Sequence, residues 1–127
     1  MAKSPGDFDP MGVLVDWIDA CKGRKLSTLI NLYHPAATVD CCEGGRFRGR
    51  SEVERYWRPK LARQTTDAFQ IDALMPYAEG VSLDYRGYDG RPVRTLFRFN
   101  ASGQIVHTAC GPVGSDGSSS IDKPRAA

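Results

Sequence analysis

Three features of this sequence predict an α+β fold, with three N-terminal helices packed on a curved and mostly antiparallel sheet. Apolar residues recur at helical spacing as far as Leu61. From Ala68 onward the apolar period falls to two, the mark of strands. Turn signals at Asp89-Gly90 and across Asn100-Ala101-Ser102-Gly103 divide that later stretch into hairpins. A chain of 127 residues has room for one such core. One domain is therefore expected over residues 9–110, after a polar lead at 1–8 and before a flexible or docking tail at 111–127.

Asp9-Pro10 reads as an N-cap followed by proline in the first turn of helix one. Val13, Leu14, Trp17, Ile18 and Cys21 form its apolar stripe, and Gly23 ends it. A short second helix carries Leu26, Leu29, Ile30 and Tyr33 on one face and stops ahead of Pro35, completing a helix hairpin. Residues Ala37 to Cys42 are β-prone. Ser51 and Glu54 then form a capping box for helix three, whose apolar face is Val53, Tyr56, Trp57 and Leu61. Pro59 falls inside that pattern and is expected to kink or end the helix. Strands follow near 68–75, 80–88, 91–100 and 104–110.

Composition removes several classes of function. Seventeen Lys and Arg against fifteen Asp and Glu leave a net charge of +2, with no basic block of the kind that binds nucleic acid. The longest apolar run, Met11 to Val15, is too short for a signal-peptide core or a bilayer span, so no membrane partner and a cytoplasmic location are expected. Cys21, Cys41, Cys42 and Cys110 show no CxxC spacing, and a disulfide framework is not expected in a reducing compartment. His34 and His107 lie far from any paired cysteines, so no metal is predicted.

Strand faces follow from the turns, because residues directly opposite in an antiparallel pair point to the same side of a sheet. A two-residue turn at Asp89-Gly90 pairs Arg86 with Val93, Asp84 with Thr95 and Ser82 with Phe97, and leaves Val81, Leu83 and Tyr85 on the other face. A four-residue loop after Phe99 pairs Phe97 with Val106 and Thr95 with Thr108, with Cys110 farther along that side and His107 pointing away. The inward face then holds Val93, Thr95, Phe97, Phe99, Val106 and Thr108. On this register Asp84 is a carboxylate on the apolar inner wall, one same-face step from Arg86.

The helix hairpin is followed by Leu32-Tyr33-His34-Pro35-Ala36-Ala37-Thr38-Val39, then by Phe47-Arg48-Gly49-Arg50 before helix three. The chain closes on Phe97-Arg98-Phe99-Asn100-Ala101-Ser102-Gly103-Gln104-Ile105-Val106. In that order these segments resemble the nuclear transport factor 2 superfamily, most of all its ketosteroid isomerase and SnoaL-like branches, over roughly residues 9–110. The resemblance implies a cystatin-like, cone-shaped fold around an inner cavity, and a homodimer formed through the outer face of the sheet by Leu83, Tyr85, Leu96 and neighbouring arginines. In the isomerase branch a tyrosine and a protonated aspartate hold the developing oxyanion while a second aspartate moves the proton. Those positions fall here on Trp17, Thr95 and Cys41 respectively, so steroid isomerisation itself is not expected.

Two classes of function remain open at this stage. One is a pocket for a small apolar molecule with no chemistry of its own, walled by Trp17, Cys41, Tyr56, Thr95, Phe97, Thr108 and Arg86. The other is a cofactor-independent isomerase, cyclase or dehydratase in which Asp84 transfers the proton, its pKa raised by an apolar wall. Against the second stands a plain ion pair of Asp84 with Arg86. Cys41 has no histidine placed to activate it and reads as a packed small hydrophobe, and Arg46, Arg48 and Arg50 read as a solvated run.

Overall fold

In the computed structural model, which describes residues 9–42, 44–77 and 80–112, Asp9 caps the first helix with its carboxylate, accepting from the Met11 amide at 3.1 Å. That helix, α1, spans Pro10–Lys22 and buries Leu14, Trp17, Ile18, Ala20 and Cys21. The second, α2, covers only Leu26–Asn31. Tyr33, expected on its face, begins strand β1 (Tyr33–Asp40) instead, because the Ile105 amide donates to Leu32 O at 3.0 Å and draws the chain into the sheet. A short strand β2 (Arg46–Arg48) pairs with the end of β1, and α3 spans Arg50–Ala62. No side chain from Ser51 caps α3; its N-cap is Gly49, and Glu52 Oε1 accepts from the Arg48 amide at 2.8 Å. The helix runs through Pro59 to Ala62, held at its end by buried Leu61 and by the Arg63 amide donating to Pro59 O.

Strands β3 (Ile71–Tyr77), β4 (Gly80–Arg86), β5 (Pro92–Phe99) and β6 (Ile105–Pro112) complete a six-stranded sheet in the order β2-β1-β6-β5-β4-β3. Every neighbouring pair is antiparallel except β1 with β6. The three helices cover one face, and this α+β arrangement agrees with the expected class. No helix among the described residues is long and apolar enough to cross a membrane. The expected lead at 1–8 and most of the expected tail lie outside the described residues, and β6 extends past the expected boundary at Cys110.

The β4–β5 hairpin overturns the expected register. Its loop has three residues, Tyr88-Asp89-Gly90, closed by the Gly87 amide donating to Arg91 O at 2.8 Å and the Gly90 amide donating to Gly87 O at 2.9 Å. Gly90 sits at φ 86, the left-handed position such a loop requires. One extra loop residue shifts the pairing by one and inverts the whole of β4. Val81 now faces Phe97, Leu83 faces Thr95 and Tyr85 faces Val93, all on the buried side.

Asp84 is therefore on the outer face opposite Arg94, whose Nε and Nη2 donate to its carboxylate at 2.6 and 2.9 Å. Arg86 lies on the outer face too, 3.4 Å from Asp72. The pairing of Asp84 with Arg86 is replaced by two separate ion pairs. The outer face also loses Leu83 and Tyr85, two of the three apolar residues assigned to a dimer contact.

The β5–β6 hairpin has a three-residue loop as well, with the Asn100 amide donating to Gln104 O at 3.0 Å and Gly103 at φ 86. Here a bulge between Arg98 and Phe99 restores the phase. Phe97 faces Thr108 and Thr95 faces Cys110, so the inward side of β5 is as expected while its partners move two residues along. Ile105, not Val106, is the wholly buried residue at the start of β6.

Cys42 and Cys110 form a disulfide with their Cα atoms 4.6 Å apart, against the expectation of no disulfide. Local cysteine spacing carries no sign of it, because the partners are 68 residues apart and meet only where β1 stops beside parallel β6.

On the outer face Asp40 accepts from Arg46 Nε at 2.7 Å and lies 2.8 Å from His107 Nε2. The Arg46 guanidinium first, then His107, hold its carboxyl down from the ordinary 3.8 to about 2. A carboxyl with a lower pKa folded than unfolded adds stability that is complete above the ordinary carboxylate range and lost as pH falls through about 2. Asp40→Asn should accordingly lose less stability than the unmodified chain when urea unfolding is followed downward from about pH 5 to about pH 2. Identical acid slopes in the two proteins would rule out this linkage.

Candidate functional site

Beneath the helices, one wall of a cavity of about 220 Å³ comes from α3 and the other from the inner face of the sheet. Helical spacing places Tyr56, Trp57 and Lys60 on the same side of α3, toward it. Tyr85 of β4, Val93 of β5 and Cys110 of β6 face them, and Cys41 and Cys42 close the end where β1 stops. Phe69 enters from the segment before β3 in a left-handed conformation, φ 61, fixed by its amide donating to Arg86 O at 2.6 Å. Tyr88, Asp89 and Arg91, from the three-residue loop and the residue after it, form the rim.

The floor is a packed aromatic cluster. Trp17 meets Phe97, Tyr85 and Trp57 edge-to-face with ring centroids 5.1, 5.4 and 5.5 Å apart, and centroids 4.5–7 Å apart suit the opposed charge of ring face and edge. Below this cluster the Tyr33 hydroxyl accepts from Trp17 Nε1 at 3.1 Å and from Trp57 Nε1 at 3.2 Å, and is bonded to Thr108. Tyr85 and Thr95 share a hydrogen bond of 3.0 Å between their hydroxyls. The buried polar groups thus satisfy one another, which removes most of the cost of placing them in an apolar interior.

Of the residues expected to contact a ligand, Cys41 and Tyr56 line the cavity. Trp17, Thr95, Phe97 and Thr108 lie deeper, each at most 4% exposed, with the indole N–H of Trp17 and the hydroxyl of Thr95 engaged within the protein. Arg86 and Asp84 are on the far side of the sheet. Sequence reasoning misses Phe69, Tyr88 and Lys60, and it places Tyr85 on the outer face of the sheet. Tyr85 had a usable signal: Val81, Leu83 and Tyr85 are the apolar half of an alternating strand and belong inside on pattern alone.

Burial first, and then a hydrogen bond with Cys41, raises the Tyr56 phenol well above its ordinary range. Burial raises Tyr85 and Tyr33 likewise, the indole and threonine hydrogen bonds only partly opposing it. These phenols stay protonated at any ordinary pH and act as hydrogen-bonding groups, not bases. Among the described residues the lining holds one carboxylate, Asp89, and it sits at the rim paired with Arg91 at 3.6 Å. A second hollow of about 390 Å³, bounded by Lys22, Arg24, Gln64 and Thr65, is polar and lacks aromatic walls.

A SnoaL-like protein of unknown function from Burkholderia thailandensis superposes with a TM-score of 0.71 at 22% identity, over 83% of this chain and 95% of that one. An NTF2-like protein of unknown function from Cytophaga hutchinsonii superposes with a TM-score of 0.65 at 10% identity, over 87% and 92%. This chain has the NTF2-like fold. A steroid delta-isomerase from Pseudomonas aeruginosa shares that fold at a TM-score of 0.63 and 20% identity, over 87% of this chain and 82% of that one. No protein-family model matches this chain, and no curated protein matches it by sequence.

Proposed function

We propose that this NTF2-like chain is a receptor for one small, flat, apolar molecule, held between α3 and the sheet and not turned over by acid–base chemistry of the protein. The observation that carries the reading is the composition of the cavity wall: Tyr56, Trp57, Phe69 and Tyr85 supply aromatic surface, with Val93 and sulfur beside them. Apolar walls with few polar groups favour burial of ring systems. The proton-transfer alternative depended on Asp84, and that carboxylate is bound by Arg94 across the sheet from the cavity.

Calorimetric titration of the chain with a panel of naphthalene-sized alcohols, ketones and acids tests the reading. At least one member should bind with one-to-one stoichiometry and raise the melting temperature by mass action. If no member gives saturable heat or a thermal shift, the receptor reading is wrong. Asp84→Asn serves as the companion prediction. It removes an outer-face pair with Arg94 half exposed, so stability should fall by no more than about 1 kcal/mol, with ligand affinity unchanged. A loss of binding in that variant would return Asp84 to the site.

A further inference from the structure

We propose that the ligand of this cavity is an apolar acid, an aromatic or alicyclic carboxylate whose anionic group is held at the rim by Lys60. This rests on the receptor reading above and adds the chemistry of the head group. The Lys60 ammonium lies over two lining rings at once, 4.7 Å from the Tyr56 centroid and 4.4 Å from the Tyr88 centroid. Ring faces attract a cation and orient it, but they neutralise none of its charge.

Other cations near carboxylates in this fold are taken: Arg94 by Asp84, Arg46 by Asp40, Arg86 by Asp72 and Arg91 by Asp89. Among the described residues Lys60 has no carboxylate within ion-pair distance. Summed over the described lining, Lys60 and Arg91 against Asp89 leave one positive charge at the rim, above a neutral aromatic interior.

A bound anion would complete the arrangement. A charge-assisted hydrogen bond from the ammonium to a carboxylate is stronger than a neutral one, and more so beside apolar surface than in open water. The cavity size limits the rest of the molecule. At about 220 Å³ it lies below the range occupied by drug-sized ligands, which suits a body of one or two fused rings. One ammonium matches one carboxylate, whereas a phosphate ester would leave a second negative charge unanswered.

The test compares 2-naphthoate with 2-naphthalenemethanol, which share the ring system and differ in charge, by calorimetry on the full chain. The acid should bind at least about tenfold more tightly than the alcohol, as expected of a charged hydrogen bond. In Lys60→Met the acid-to-alcohol ratio should fall to near one, and in Lys60→Arg the preference should return. Lys22→Met, which removes a lysine from the polar hollow, should keep the preference and so exclude a general effect of charge.

Equal affinity of acid and alcohol in the unmodified chain, or an unchanged ratio in Lys60→Met, overturns the assignment of the head group and leaves the receptor reading standing. Failure of both probes while another member of the panel binds overturns this proposal alone, and failure of the whole panel overturns the receptor reading with it. Melting temperatures of the variants, taken alongside, show that each is folded before its ratio is read.

Discussion

Replacing Trp17 with alanine is expected to cost about 3–5 kcal/mol of folding stability, the range for removing a buried aromatic side chain. Trp17 is 1% exposed and touches Trp57, Phe69, Tyr85 and Phe97, so no single neighbour can relax into the space it leaves. The change also removes one of two indole donors to the buried Tyr33 hydroxyl. Urea unfolding should show the loss as a lower midpoint at an unchanged slope. Trp17→Phe should recover part of the packing but not the hydrogen bond, and so fall between the two. A midpoint shift in Trp17→Ala worth less than about 1 kcal/mol would mean that the core does not centre on this ring.

The second large effect is expected from the Cys42–Cys110 disulfide. Its two halves are 68 residues apart, and chain-entropy arguments give a closed loop of that size about 4 kcal/mol of stabilisation. The bond also fastens the chain just past the last paired residues of parallel β1 and β6, Asp40 and Ala109, beside the cavity. Alkylation of the urea-unfolded chain without reductant should label two of the four cysteines, Cys21 and Cys41, and Cys110→Ser should lower the urea midpoint as much as reduction does. Labelling of all four cysteines in the non-reduced protein, or a midpoint indifferent to reductant, would refute the bond.

Much of the fold was legible because its signals are local. Asp9-Pro10 and Gly23 mark the ends of α1 through hydrogen bonds made within a few residues, and the change from helical to alternating period at Ala68 marks where helices give way to sheet. The cavity was less legible because it depends on a loop length. Asp89-Gly90 can close a two-residue turn or end a three-residue one, and the dipeptide is the same in both. Choosing the shorter loop turned Asp84 inward and Tyr85 outward, which exchanged a hypothetical catalytic wall for the aromatic one that exists.

The alternation of β4 held the correction. Val81, Leu83 and Tyr85 against Ser82, Asp84 and Arg86 is a clean division into buried and solvated sides, and burying the first set is favoured by several kcal/mol at about 1.5–3 kcal/mol for each large apolar side chain. No turn preference is worth that much. In the β5–β6 hairpin the expected loop is one residue too long, yet this did no harm to β5, because a bulge at Arg98 and Phe99 reset the phase, and nothing in Arg98-Phe99 announces a bulge. The disulfide and the meeting of Lys60 with Tyr88 were illegible for a different reason. Both join segments distant in sequence, brought together in one case by the order of strands and in the other by the packing of α3 over the sheet.

The central claim is that the space between α3 and the strands bearing Tyr85 and Val93 is where a ligand sits. Filling that space tests it most directly. Val93→Trp should place an indole among Tyr56, Trp57 and Tyr85, leave the melting temperature near that of the unmodified chain, and abolish the heat of 2-naphthoate binding in calorimetry. A folded Val93→Trp protein that still binds 2-naphthoate with unchanged affinity would contradict the claim.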